Sequence, residues 1–143
     1  MTLHLVKLCV GAANISDLEA WVEQRVRRNE KAGRDPVHEH VTRMHPRRET
    51  ALLDGGSIYW VIKGVILVRQ RLLGFEQRTG PDGIRRCAIQ IDPQLVPTEP
   101  QSRRAFQGWR YLRPEDAPRD ARKSRGANPP PELAIELAEL GLL

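Results

Sequence analysis

Hydrophobic and polar positions alternate along much of the chain, and a period of two predicts β-strands. The first apolar run is hydrophobic on most of both faces, which is typical of a strand in the centre of a sheet. Gly74 lies inside the longest run and predicts a bulge or bend there. Residues 92–104 carry several prolines and are expected to be irregular. We predict strands at residues 2–10, 37–44, 57–62, 65–78, 84–91 and 105–112.

A period close to 3.6 residues predicts helices near both ends of the chain. Ser16 is the expected N-cap of the first helix, because Glu19 follows three residues later and completes a capping box. Gly33 is expected to end this helix. Residues 47–53 favour one or two further helical turns, and residues 132–142 form an amphipathic helix with apolar positions at Leu133, Leu137 and Leu140.

The order of these elements predicts an α+β fold with a curved, mostly antiparallel sheet and two or three flanking helices. A half-open barrel would close such a sheet and limit its exposed edges. We expect one domain over residues 1–112, a flexible charged linker over 113–131 and a C-terminal amphipathic helix over 132–143. That helix either docks on the core or mediates self-association, and the sequence leaves both open.

The charge of the chain favours an anionic partner. The chain has 143 residues and a formal net charge of +5, and nineteen of its 23 basic residues are arginines. Arginine suits bidentate contacts to phosphate. The alternative is a compositional bias toward arginine that needs no partner. Residues 37–112 carry twelve Lys and Arg against seven Asp and Glu, so the excess lies in the predicted domain rather than in a tail.

The two cysteines and the apolar runs exclude several classes of protein. Cys9 and Cys87 lie inside apolar runs, so we expect buried thiols rather than a disulfide framework or a zinc site. Apolar runs as long as a membrane helix, which needs about 20 residues, do not occur. We therefore expect a cytoplasmic protein without a membrane partner and without a cofactor.

Histidines and arginines are densest between residues 38 and 48. His38 and His40 share one face of the predicted strand, so the two are candidate metal ligands, although surface or hydrogen-bonding histidines are the default expectation. Arg43, Arg47 and Arg48 follow closely, and guanidinium groups so near one another repel unless an anion joins them. The same stretch offers an acid–base alternative in which His40 is the general base, Thr42 the nucleophile or orienting group and Arg43 the anion stabiliser.

A second basic region interleaves aromatic and basic residues on the predicted sheet. Lys63 and Arg69 extend the positive charge, and Tyr59 or Trp109 would stack a base. The alternative is that the aromatic rings belong to the core.

Four segments carry a family resemblance: HVTRMHPRR, LLDGGSIYWVIKGVILVRQ, DGIRRCAIQIDP and FQGWRYLRPEDAPRD. They resemble a family of small bacterial proteins, the domain of unknown function 1489, over about residues 1–120. This resemblance implies a bacterial cytoplasmic protein and implies no activity. Thr42-Arg43, a short helix, the Gly55-Gly56 turn and the strand SIYWVIKG more loosely resemble the PUA-like superfamily with its ASCH and EVE modules. That likeness implies a pseudo-barrel that binds RNA, although His40 stands where ASCH hydrolases have a catalytic lysine.

Three hypotheses follow. The first is an RNA-binding, PUA-like module that takes RNA or another phosphate-bearing ligand on its arginine-rich face. The second is a small ASCH-like hydrolase or nuclease that uses His40, Thr42 and Arg43. The third is a non-catalytic interaction module that forms a homo-oligomer through its C-terminal helix.

Overall fold

In a computed structural model, which describes residues 1–104, 106–121 and 130–142, the chain forms an open seven-stranded sheet with three α-helices. The strands are β1 (His4–Leu8), β2 (His38–Thr42), β3 (Ser57–Ile62), β4 (Val65–Thr79), β5 (Arg85–Ile91), β6 (Val96–Ser102) and β7 (Trp109–Leu112). The helices are α1 (Ile15–Lys31), α2 (Glu49–Leu52) and α3 (Pro131–Glu139), and a 3₁₀ helix covers Pro114–Asp116. The predicted α+β class with a mostly antiparallel sheet is confirmed.

The long strand β4 connects the two halves of the sheet. Its first half pairs with β3 and β6, and its second half pairs with β5, which in turn pairs with β2. The register shifts between Leu72 and Gly74, at the glycine that the sequence marks as a bulge. β1 pairs parallel to β3 and antiparallel to β7, so the strand order is β2-β5-β4-β3-β1-β7. The strands β2 and β7 therefore lie at opposite ends of this order.

Hydrophobic side chains pack on both faces of the sheet. The larger cluster is formed by β1, β3, β4 and β5 with α1, α2 and α3, and it includes the fully buried Leu5, Ile58 and Ile89. A smaller cluster lies on the opposite face and contains Val6, Tyr59, Val61, Ile66, Phe106 and Leu112. Gly56 lies where β3 begins, and a Cβ atom there would overlap the carbonyl oxygens of Leu3 and Leu52. We refer to the side of the larger cluster as the inner face and to the other as the outer face.

The N-terminus of α1 differs from the predicted one. Asn14, not Ser16, is the N-cap, and its side-chain oxygen accepts a hydrogen bond from the backbone nitrogen of Asp17 at 2.9 Å. The Asp17 carboxylate in turn accepts a hydrogen bond from the backbone nitrogen of Ala13 at 2.8 Å. This reciprocal pair is a variant of the capping box that lies two residues earlier than Ser16 and Glu19 indicate, since its second bond involves the residue before the N-cap. Gly33, with φ of 71°, follows the helix as predicted.

Residues 96–121 are more ordered than their composition indicates. The sequence predicts an irregular segment here, but β6 forms despite Pro97 and Pro100; it pairs with β4, and Thr98 forms an isolated bridge with Asp120 on its other side. Pro100 lies where the register between β4 and β6 shifts, and such an irregularity tolerates proline. The first part of the predicted linker runs beside β6, with the Glu99 nitrogen 2.7 Å from the Arg119 oxygen and the Ala121 nitrogen 2.9 Å from the Pro97 oxygen. Residues 122–129 of that linker lie outside the described residues.

Helix α3 docks on the core through two alanines and one isoleucine. Ala134 is buried, and Ile135 and Ala138 pack against the larger cluster. Leu133 and Leu140, two of the leucines expected on the apolar face, are 44% and 71% exposed. Docking therefore occurs through a face adjacent to the predicted one, and self-association stays a prediction.

Candidate nucleic-acid interface

The segment between β2 and α2, residues 43–48, presents three arginines to solvent, and we call it the basic loop. The side chains of Arg43, Arg47 and Arg48 are all exposed. The backbone nitrogens of Arg47 and Arg48 donate hydrogen bonds to the Tyr111 hydroxyl at 3.0 and 3.3 Å. The basic loop is thus anchored by its backbone while its guanidinium groups project outward.

A second hydrogen bond anchors the start of the basic loop. The indole nitrogen of Trp109 donates to the backbone oxygen of Met44 at 2.8 Å, and Pro46 is buried. Trp109 and Tyr111 both belong to β7, whereas the basic loop continues from β2. The basic loop therefore continues from the strand at one end of the strand order and is hydrogen-bonded to the strand at the other end, on the inner face.

The three arginines of the basic loop have no ion-pair partner, in contrast to four arginines elsewhere in the described part of the chain. Arg69 pairs with Asp120, Arg78 with Glu39 and Glu76, Arg86 with Asp82, and Arg113 with Asp116. Among the described residues, no carboxylate lies within ion-pair distance of Arg43, Arg47 or Arg48. The one acidic contact in this region joins Glu49 to His45. Three positive charges are therefore free to attract an anion.

Behind the basic loop, basic side chains meet on the inner face, and we call this group the interior basic cluster. It consists of Lys7, Arg25, His38 and His40. His38 is 1% exposed; its Nε2 accepts a hydrogen bond from Arg25 at 2.9 Å, and its Nδ1 donates to the side-chain oxygen of Gln70 at 3.2 Å. Gln70 accepts a second hydrogen bond from the Trp60 indole at 2.9 Å. His38 is therefore a neutral imidazole locked in one tautomer.

Burial and neighbouring positive charges keep both histidines uncharged. Burial is the main reason that the pKa of His38 falls to about 4, and the charge of Arg25 lowers it further. The pKa of His40 also falls to about 4, through burial and then through the charges of Lys7 and Arg25. The His40 ring packs edge-on against Trp60, with the ring centroids 5.5 Å apart.

Lys7 is the most unusual member of this cluster. It lies on β1 opposite Trp60 on β3 and Trp109 on β7, and it is only 9% exposed. Within the described ranges it makes no ion pair, and burial lowers its pKa. An ammonium group in such a place costs free energy unless it loses its proton or gains an anion.

The structure separates the sequence-derived candidates for base stacking from solvent. Tyr59 is 5% exposed on the outer face, and Trp109 is 8% exposed on the inner face. Neither ring is presented to a base, because each packs in a hydrophobic cluster. Both residues are part of hydrophobic clusters, as the alternative interpretation of the sequence expected.

The remaining candidates are dispersed. Lys63 occupies the tight turn between β3 and β4, with φ of 51°, and its side chain is exposed. Arg69 lies on the outer face, where Asp120 holds its Nε and Nη2 atoms at 2.7 and 2.8 Å. Of the residues proposed for nucleic-acid contact, the structure brings Arg43, Arg47 and Arg48 together and places Lys63 and Arg69 elsewhere.

The candidate catalytic residues also separate, whereas the candidate metal ligands His38 and His40 lie together in the interior basic cluster. His40 and Thr42 share the inner face of β2, whereas Arg43 is exposed in the basic loop. Across the residues that the structure describes, no three His, Cys, Asp or Glu side chains are placed to hold a metal ion. Cys9 and Cys87 are buried free thiols, and burial raises the pKa of each to about 11, which leaves them unreactive at neutral pH.

Sequence reasoning missed the residues that support the site. Tyr111 and Gln70 carried no signal, since a tyrosine or a glutamine in a strand has no characteristic spacing. Lys7 carried one: a lysine in an otherwise apolar central strand needs an explanation. Arg25 also carried no signal, because its sequence position on α1 does not show that its side chain reaches His38.

The fold and the basic loop define a small α+β protein with an anchored, positively charged loop beside an open sheet. Residues 5–143 match the family model described as "Protein of unknown function (DUF1489)", so the chain belongs to this family. No curated protein and no solved structure gives a significant match. None of the helices in the described ranges is both long and apolar enough to cross a membrane.

Proposed function

We propose that this protein binds single-stranded RNA through the basic loop. One observation carries the proposal: three exposed arginines without carboxylate partners lie on a loop whose backbone is fixed to β7. Fixing the backbone before binding lowers the entropy that the loop loses when a ligand orders it. Arginine side chains so placed suit consecutive phosphate groups.

An exposed methionine supports contact with a base. Met44 lies between Arg43 and Arg47 and is 63% exposed. A thioether side chain packs favourably against an aromatic ring, including the flat face of a base. Met44 therefore replaces Tyr59 and Trp109 as the stacking candidate. Unpaired bases are accessible in single strands and buried in duplexes, so a stacking residue beside arginines favours a single-stranded ligand.

The test compares two double variants that remove the same charge. Arg47→Ala/Arg48→Ala removes two arginines from the basic loop, and Arg27→Ala/Arg28→Ala removes two exposed arginines from α1. Nuclease-treated protein is titrated into a fluorescent, unstructured RNA of mixed sequence, and binding is followed by anisotropy. We expect the first variant to bind about tenfold more weakly, since each arginine contributes about 0.7 kcal/mol, and the second to stay within about twofold of the wild type.

Equal loss in both variants would mean that only the overall charge matters, and no loss in the first would exclude the basic loop. A duplex of the same sequence is the second comparison, and equal affinity for the duplex would contradict single-strand binding. The PUA-like relationship stays a prediction, and the outcome of this experiment does not depend on it.

The hydrolase alternative has less support. His40 is neutral, so it is able to accept a proton, but a pKa of about 4 makes it a weak base at neutral pH. Arg43, the expected anion stabiliser, is exposed in the basic loop, whereas His40 lies in the interior basic cluster. The interaction-module alternative rests on the exposed Leu133 and Leu140 of α3. Its test is the mass of the protein in solution with and without residues 130–143.

A further inference from the structure

The outer face of the sheet carries a cavity of about 440 Å³ that neither the basic loop nor the interior basic cluster touches. Side chains of β1, β3 and β4 form its floor: His4, Ser57, Tyr59 and Arg69. The segment after β7, from Pro114 to Asp120, forms its roof. A volume of this size accommodates a small organic molecule. We call it the outer-face cavity.

The roof is fixed to the sheet by several polar contacts. Asp120 receives two hydrogen bonds from Arg69, at 2.7 and 2.8 Å, and the backbone oxygen of Asp116 accepts one from the Gln101 side chain at 3.1 Å. The backbone of Arg119 accepts a hydrogen bond from Glu99 at 2.7 Å. The cavity is thus part of the folded structure.

The floor has hydrogen-bond donors without acceptors. His4 accepts a hydrogen bond at Nδ1 from the Ser57 backbone nitrogen at 3.0 Å, so its proton lies on Nε2. Burial and then the charge of Arg69 lower the pKa of His4, which keeps this tautomer neutral. Within the described part of the chain, the Nε2 proton meets no acceptor.

Two hydroxyl groups add to this set. Ser57 is 1% exposed, and its oxygen accepts a hydrogen bond from Arg69 at 3.0 Å, which leaves its own proton free. Tyr59 is 5% exposed, lines the cavity and packs its ring against His4 with centroids 5.1 Å apart. Its hydroxyl has no hydrogen-bond partner among the described residues and is not among the side-chain atoms that they seal from solvent. Because solvent reaches the Tyr59 hydroxyl, the acceptor oxygens of a ligand that enters the cavity would replace water as its hydrogen-bond partner.

The charges around the cavity favour an anion. Both carboxylate oxygens of Asp120 are held by Arg69, so these two charges compensate each other. Arg119 at the roof adds a positive charge, and it makes no ion pair in the described ranges. The roof is otherwise apolar where Pro114, Ala117 and Pro118 face the cavity.

We propose that the outer-face cavity binds a small organic anion, whose carboxylate or phosphate group accepts hydrogen bonds from Tyr59, His4 and Ser57 while its apolar body packs under Pro114 and Pro118. The site is separate from the basic loop and does not depend on RNA binding. Carboxylates and phosphates share the required acceptor oxygens, and the choice of probes distinguishes them.

The test uses phenyl phosphate and benzoate as probes and benzyl alcohol as the uncharged control, with binding followed by NMR of the full-length protein. We expect at least one anion to shift the His4 ring resonances in a saturable way and benzyl alcohol to bind at least about tenfold more weakly. Saturation by phenyl phosphate alone would identify a phosphate ligand, and saturation by benzoate alone a carboxylate ligand. Equal binding of benzyl alcohol, or no saturable shift of His4 with either anion, would overturn the proposal.

Tyr59→Phe removes the free hydroxyl and keeps the ring, so we expect about fivefold weaker binding of the anion, the loss of roughly one hydrogen bond. Tyr111→Phe is the matched control, because it makes the same chemical change at the basic loop and should leave anion binding unchanged. If Tyr59→Phe lowers thermal stability too far for titration, Ser57→Ala gives the same comparison. If neither anion shifts the His4 resonances while the protein still binds RNA, the outer-face site is refuted and the proposed function is not.

Discussion

The Tyr111 hydroxyl lies 3.0 Å from the backbone nitrogen of Arg47, which precedes it by 64 residues. This contact and the companion contact to Arg48 fix the basic loop to a strand at the far end of the sheet. Tyr111→Phe should therefore loosen the loop and lower the free energy of unfolding by about 1 kcal/mol, the net value of one or two hydrogen bonds. RNA affinity should fall about threefold, because the loop must then be ordered on binding.

Hydrogen exchange of the amides of Arg47 and Arg48, measured beside the RNA titration, checks this prediction. Faster exchange with unchanged RNA affinity would mean that the order of the loop does not matter for binding. Tyr59→Phe is the control, since its hydroxyl lies on the outer face and should affect neither measurement.

The buried histidines predict that the protein becomes less stable as the pH decreases. His38 and His40 have folded-state pKa values of about 4 against an ordinary value of 6.5. Between these values the unfolded chain binds up to two more protons than the folded chain. The contribution of the two neutral histidines to the free energy of unfolding is therefore fully present above pH 6.5 and is lost as the pH falls toward 4. At about pH 5 the loss is on the order of 2 kcal/mol per histidine.

Urea unfolding at about pH 7.5 and about pH 5 measures this loss. His40→Leu removes one of the two most strongly shifted histidines and should reduce the difference between the two conditions by about 2 kcal/mol. A wild-type protein equally stable at both pH values would show that the two imidazoles are not held neutral in the folded state.

Lys7 predicts a gain of stability on substitution. Lys7 as a whole is 9% exposed, and its ammonium group has no ion-pair partner among the described residues. Methionine has a similar length and no charge, so Lys7→Met should raise the free energy of unfolding by about 1–2 kcal/mol at neutral pH. Chemical denaturation checks the sign. A loss of stability would mean that the ammonium group makes a favourable contact in the folded protein.

The fold was largely predictable from the sequence because its elements follow local patterns. The strand at Ser57–Ile62 is rich in residues that favour strands, and the glycine at position 74 marks the point where β4 changes register. The strand β6 was not predictable, since Pro97 and Pro100 argue against a strand and the shift in register against β4 that accommodates Pro100 depends on the tertiary structure. The N-cap of α1 is Asn14 rather than the predicted Ser16, because both residue types cap helices well and local propensity does not choose between them.

The candidate site was predictable only in part. Arg43, Arg47 and Arg48 are close in sequence, so their proximity in space required no knowledge of the fold. Whether Tyr59 and Trp109 are exposed could not be predicted from the sequence, because it depends on what packs against each face of the sheet. Both rings pack in hydrophobic clusters. Lys7, His40 and Arg25 come from three separate elements, so their approach is a property of the topology and not of any motif.

The salt dependence of RNA binding tests the central claim most directly. The logarithm of the binding constant falls with the logarithm of the salt concentration by about 0.7 for each phosphate contact to a single strand. Arg47→Ala/Arg48→Ala should therefore reduce this slope by about 1.4 relative to the wild type, while Arg27→Ala/Arg28→Ala should leave it unchanged. An unchanged slope in the basic-loop variant would contradict the assignment of these arginines to phosphate contacts.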